Sequence, residues 1–147
     1  MSHIAEMNIA YLLYPWGDPR VAEFVDNIDR VHAAAERTQG YVWRLKGEDE
    51  NLPENDLTRL FGRPGYAVAT LTVWESFEDL DRFVHKTIHG RFLDRRVEWF
   101  DRLDAAPYVI WPVAEGHIPS LEEGKEKLMQ LRANGPTEAA YDFRYKA

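Results

Sequence analysis

The chain predicts an α+β fold, a four-stranded antiparallel sheet with helices packed on one face. Three observations carry this expectation. Four short segments have strand character, at Ile4–Leu13, Tyr41–Leu45, Tyr66–Trp74 and Tyr108–Val113. Segments with apolar residues at helical spacing separate or follow them, in the order βα-β-βα(α)-β-α, which is the split βαβ arrangement. No repeat, low-complexity tract or linker divides the 147 residues, a length suited to one domain with its own core.

The first strand rests on period-two patterning, with Ala5, Met7, Ile9, Tyr11 and Leu13 apolar and Glu6 and Asn8 between them. Tyr14-Pro15-Trp16-Gly17 forms a turn, and Asp18-Pro19 places an N-cap before a proline at the first helical position. Val21, Phe24, Val25, Ile28, Val31 and Ala35 then recur at helical spacing, and Gly40 closes the helix. Tyr41 to Leu45 is aromatic and β-branched, a second strand with Trp43 and Arg44 on opposite faces. Lys46 to Gly65 is a long acidic connection carrying Glu48, Asp49, Glu50, Glu54 and Asp56, of a length found in lids and in disordered loops.

The third strand alternates cleanly, with Val68, Thr70, Thr72 and Trp74 on one face and Ala67, Ala69, Leu71 and Val73 on the other. Ser76 and Asp79 then form a capping-box pattern that starts a helix near Phe77. Its stripe is Leu80, Phe83 and Val84. Gly90 interrupts before Phe92, Val97, Phe100 and Leu103 resume the pattern, giving two helices or one broken near Gly90. In the fourth strand Pro112 indicates a sheet edge or strand end. Ser120 and Glu123 cap a last helix bearing Leu121, Leu128 and Leu131 and stopped at Gly135-Pro136, and Ala140–Tyr145 adds a short strand or arm.

Composition excludes several functions. There are no cysteines, which removes thiol nucleophiles, redox pairs, iron–sulfur clusters and cysteine-based zinc sites. A net charge of −7 argues against broad nucleic-acid binding, although residues 82–102 hold six basic side chains against three acidic ones, a mixture that usually marks a solvated helix face. No apolar run approaches the roughly 20 residues of a membrane span, and the N-terminal stretch lacks the pattern of a signal peptide, so a cytoplasmic location is expected. Asp49-Glu50-Asn51 fails as a calcium loop because Pro53 and Glu54 break the ligand series, Gly62-Arg63-Pro64-Gly65 is no phosphate loop, and no GxSxG elbow is present. A sheet with helices on one face has a second face to cover. With Trp43, Trp74 and Trp111 in its strands, that sheet is expected to pair with a second copy as a homodimer, leaving a cavity between or within the sheets.

The segments GYVWRL, LTVWESFEDLDRFVHKTIHGRFLDRRVEWF, YVIWPVAEGHIP and NGP, in this order, resemble a bacterial domain-of-unknown-function family of the dimeric α+β barrel superfamily, alongside the antibiotic-biosynthesis monooxygenases. The resemblance extends from Asn8-Ile9-Ala10 to Gly135-Pro136-Thr137 and implies a ferredoxin-like dimeric α+β barrel with a cavity against the sheet. Similar folds include cofactor-independent monooxygenases acting on phenolic or quinone-like substrates, haem proteins and small-molecule isomerases. The resemblance transfers no catalytic residue, and fold alone selects none of these activities.

Candidate residues come from the chain itself. His85 and His89, four apart on a helix, share one face, and a histidine accepts and donates protons near neutral pH. As metal ligands they would need a third group such as His117 or Glu98, and the HExxH glutamate is missing, so no metal site is expected. Trp43, Trp74 and Trp111 are candidates to stack on a flat ligand, with Arg44 or Arg96 holding a phenolate, enolate or carboxylate and His117 nearby. The ordinary alternatives are a salt bridge from Arg44 to a loop carboxylate such as Glu48, and plain core packing for the tryptophans. The expected function is a small-molecule enzyme, monooxygenase-like or isomerase-like, acting on an aromatic or quinone-like ligand without a cofactor. The alternatives are a non-catalytic dimer binding a hydrophobic ligand, haem included with His85, His89 or His117 as axial ligand, and a dimer with no pocket chemistry.

Overall fold

Strand β1 (Ser2–Tyr11) is the centre of the architecture, pairing antiparallel with both β3 (Ala67–Trp74) and β4 (Tyr108–Ala114). Strand β2 (Tyr41–Arg44) adds to β3, giving one antiparallel sheet in the order β2-β3-β1-β4. The computed structural model describes residues 2–86, 95–103 and 105–145. The ferredoxin-like α+β sheet expected from the sequence is present, with helices α1 (Ala22–Glu36), α2 (Leu57–Phe61), α3 (Phe77–Lys86) and α4 (Leu121–Asn134). A 3-10 turn at Pro19–Val21 precedes α1, and the Asp18 carboxylate accepts the Arg20 N–H at 2.8 Å, as the Asp-Pro pair predicts.

Alternation along β1 splits its side chains between two cores. Ala5, Met7 and Ile9 join Leu71, Val73, Val109, Trp111 and Val113 beneath Leu121, Leu128 and Leu131 of α4. On the opposite face Ile4, Trp74 and Ile110 pack with Ala35 of α1 and Leu80, Phe83 and Val84 of α3. Helices therefore cover both faces, not one. The reason lies in α4, where Leu121, Gly124, Leu128 and Leu131 form a buried stripe, and Gly124 lets the helix lie directly on β1. A Cβ at Gly124 would stand 2.5 Å from Met7 Sδ. The face expected to receive a second copy is thus filled by α4 and α2 of the same chain.

The acidic connection is folded too. Two 3-10 turns, Gly47–Asn51 and Pro53–Asn55, lead into α2. Buried Asn55 ties them down: its Nδ2 donates to the Asp49 carbonyl at 3.0 Å and its Oδ1 accepts the Leu121 N–H at 2.8 Å, at the start of α4. The α1–β2 corner depends on Gly40, whose φ of +88° suits glycine and whose missing Cβ makes room for the Asp79 carboxylate. Asp79 is held there by the expected capping box, accepting from Ser76 Oγ at 2.8 Å while its own N–H donates to that oxygen at 3.2 Å. The tail forms an arm rather than a full strand: Tyr141 exchanges backbone hydrogen bonds with Ile110 at 2.7 and 2.8 Å on the outer side of β4.

Candidate functional site

The sheet face under α1 and α3 is not uniformly apolar. Register places four rows of side chains across it. The first row, Tyr41, Trp74, Ile4 and Pro112, belongs mostly to the core under α3. At the far end Val68 and Ala10 lie beside a smaller core of Leu12, Val21 and Trp99, joined by Phe24, Val25 and Phe100. Between them run two polar rows: Arg44, Thr72, Glu6 and Ile110, then Thr70, Asn8 and Tyr108. Directly opposed side chains stand about 5 Å apart and successive rows about 7 Å, so the polar belt is roughly 7 by 14 Å. Helix α1 spans it, with Phe24 and Val25 packed at one end and Val31, Ala34 and Ala35 at the other. Asn8, Thr70, Thr72, Tyr108 and Arg44 are each half-buried.

Glu6 is the chemical centre of this belt. It is 5 % exposed, in the middle of the central strand, and its carboxyl accepts a hydrogen bond from Asn8 Nδ2. Burial pushes its pKa up to about 8, because a carboxylate loses hydration there and the Asn8 amide offsets only part of the loss. At neutral pH Glu6 is therefore mostly a carboxylic acid. Arg44 Nε is spent on Glu36 of α1, at 2.8 Å. Glu36 takes the place of Glu48 as the partner because Arg44 points to the α1 face. Half-buried His32 on α1 is kept neutral by burial and by the Arg44 charge, against the pull of Asp29 and Glu36. The Tyr108 hydroxyl accepts the Phe143 N–H at 3.2 Å, and burial is the main cause raising its pKa. One further group stands out in the neighbouring row: Trp74, 0 % exposed and stacked on Phe83 at 5.2 Å, has an indole N–H with no hydrogen-bond partner among the described residues. A buried donor of this kind costs about 1–3 kcal/mol.

The residues singled out by sequence do not converge. Trp74 and Arg44 face α1 and α3, whereas Trp43 and Trp111 pack in the core under α4. Trp111 is 1 % exposed and its Nε1 donates to Glu123 at 2.8 Å. His117 Nε2 meets the other oxygen of the same carboxylate at 2.7 Å. Glu123 thus faces Trp111 and His117, while its backbone N–H is capped by Ser120 at 3.1 Å. His85 is exposed on α3, with Nδ1 2.8 Å from Asp81 and its ring edge-on to Phe143. Arg96 is exposed on a 3-10 turn at Arg96–Glu98. His89 lies outside the described residues. Glu6, Asn8, Thr70, Thr72 and Tyr108 were missed by sequence reasoning, although their signal was present: polar residues occupying the same face as Ile4, Val68 and Trp74. No group of three or more histidine, aspartate or glutamate side chains fit to hold a metal occurs among the described residues. No described helix is long and apolar enough to cross a membrane.

Fold and site together define a ferredoxin-like α+β domain with a half-buried polar belt set between apolar ends. The chain belongs to the family described as "Domain of unknown function (DUF3291)", which matches residues 3–147. No curated protein matches it.

Proposed function

We propose that this domain is a small-molecule enzyme whose ligand lies on the polar belt and exchanges a proton with Glu6. The observation that carries the reading is a carboxyl group buried at the centre of the sheet, with a pKa raised to about 8. Such a group is poor for stability and well suited to catalysis, since an acid–base catalyst works best when its pKa lies near the working pH. Apolar clusters at both ends, with Trp74 and Phe83 at one and Phe24, Trp99 and Phe100 at the other, favour a flat, mostly apolar ligand. The ionised fraction of Glu6, which grows as pH approaches 8, can take a proton from a phenol or from a carbon beside a carbonyl, a step common to cofactor-free oxygenases and isomerases. The resemblance to the antibiotic-biosynthesis monooxygenases supports the first of these.

The test is hydrogen exchange into a bicyclic ketone. 2-Tetralone is incubated in deuterated buffer, and loss of its proton signals beside the carbonyl is followed by NMR. The wild-type chain is expected to accelerate exchange in a pH-dependent way, and Glu6→Gln to reduce the rate to that of buffer while remaining folded. Equal acceleration by both proteins would overturn the assignment of Glu6.

A further inference from the structure

We infer that the belt takes an uncharged ligand presenting a carbonyl-type oxygen, an acceptor without formal negative charge, an inference that rests on the belt being the ligand site. The charged groups described around Glu6 are few. From β2 the facing cation is Arg44, already neutralised by Glu36 of α1 at 2.8 Å. From α1 comes His32, half-buried beside Arg44. From β4 comes the Tyr108 phenol, and β3 contributes only Thr70 and Thr72. The described residues that α3 buries on this face are Asp79, Leu80, Phe83 and Val84, and Asp79 is bound to Ser76 and Arg82. Among the described residues no unpaired cation reaches the belt, so an anionic ligand would find no counter-charge among them, and a buried charge without one costs several kcal/mol in desolvation.

This face also carries a surplus of donors among the described residues. Asn8 Nδ2 donates to Glu6 Oε1, which leaves the acid proton on the other oxygen with no described acceptor. The Trp74 indole N–H, in the next row, has none either. Among the described residues neither the Trp74 N–H nor the Glu6 acid proton has an acceptor, and a ligand oxygen is a group that can supply one. A ketone, quinone or amide oxygen supplies one without adding charge.

Three naphthalene probes separate these terms: 2-acetonaphthone, 2-naphthoate and 2-ethylnaphthalene, titrated by fluorescence at pH 6.5 and pH 9. The ketone is expected to bind at least about tenfold tighter than either of the others at pH 6.5, a difference of about 1.4 kcal/mol. Its affinity should fall at pH 9 in the wild type and hold in Glu6→Gln, whose amide remains a donor. Thr72→Val, beside Glu6, should weaken the ketone selectively and serves as a second variant. Naphthoate binding as tightly as the ketone, with either variant altering it, would overturn the inference and leave the site standing. Binding indifferent to both variants, or no binding by any probe, would overturn the inference and the site together.

Discussion

Glu6 brings stability and function into opposition at a single side chain. Its folded pKa of about 8 lies above the ordinary glutamate value of 4.5, so the native state holds a proton that the unfolded chain releases across that window. The stabilising contribution of the neutral acid is therefore complete below about pH 4.5 and is lost as pH rises through about 8. At about 1.4 kcal/mol per pH unit, the loss amounts to a few kcal/mol. Urea unfolding at pH 5, 7 and 9 should show wild-type stability falling, while Glu6→Gln, which mimics the neutral acid, stays level and exceeds wild type at pH 9. A parallel decline in both proteins would place the titrating group elsewhere. Sequence alone marked position 6 as polar within an alternating strand. It did not show that helix α1 lies over the even positions as well, because burial of a polar residue is decided by distant segments. His117 illustrates the converse: Gly116-His117-Ile118-Pro119 looks like a pocket motif, yet the ring meets the Glu123 carboxylate beside the start of α4.

Two glycines decide how the elements meet. At Gly40 an added Cβ would stand 2.2 Å from the Asp79 carboxylate, in a backbone of φ +88°. Gly40→Ala is expected to destabilise by at least about 1 kcal/mol from the backbone alone, with the clash adding to it. Because Asp79 Cβ itself would lie 2.4 Å from the added atom, Asp79→Gly rather than Asp79→Ala should recover the clash and not the backbone share, so a double-mutant cycle with it should be clearly non-additive. At Gly124 the added methyl meets Met7 Sδ on a flexible side chain. Overpacking of about 1–3 kcal/mol there opposes a gain in helix propensity of about 1 kcal/mol, so Gly124→Ala should be destabilising and should become stabilising once Met7→Ala makes room. Chemical denaturation measures both. At this scale the caps and strands were legible, since Asp18, Ser76 and Ser120 each accept the backbone N–H their position predicts. The folded acidic connection was not, because Asn55 is fixed through Leu121, 66 residues away.

At the scale of the molecule, both faces of the sheet carry helices of the chain itself, so each face has a core built within the one chain. The unfolding temperature should therefore stay constant over about a hundredfold range of protein concentration. A midpoint rising with concentration would show that a second copy contributes to the fold. The tryptophans that suggested a dimer interface are explained from within: Trp111 lies under α4 and Trp74 against Phe83. The outer edge of β4 has a further consequence. An antiparallel strand turns every second backbone position outward, here 108, 110, 112 and 114. Tyr141 takes the N–H at Ile110, and Pro112 has none to offer. The middle of that margin is therefore closed to a foreign strand. The arm and the proline together interrupt the exposed edge, and disrupting either one should appear first as light scattering from the purified protein rather than as lost helicity.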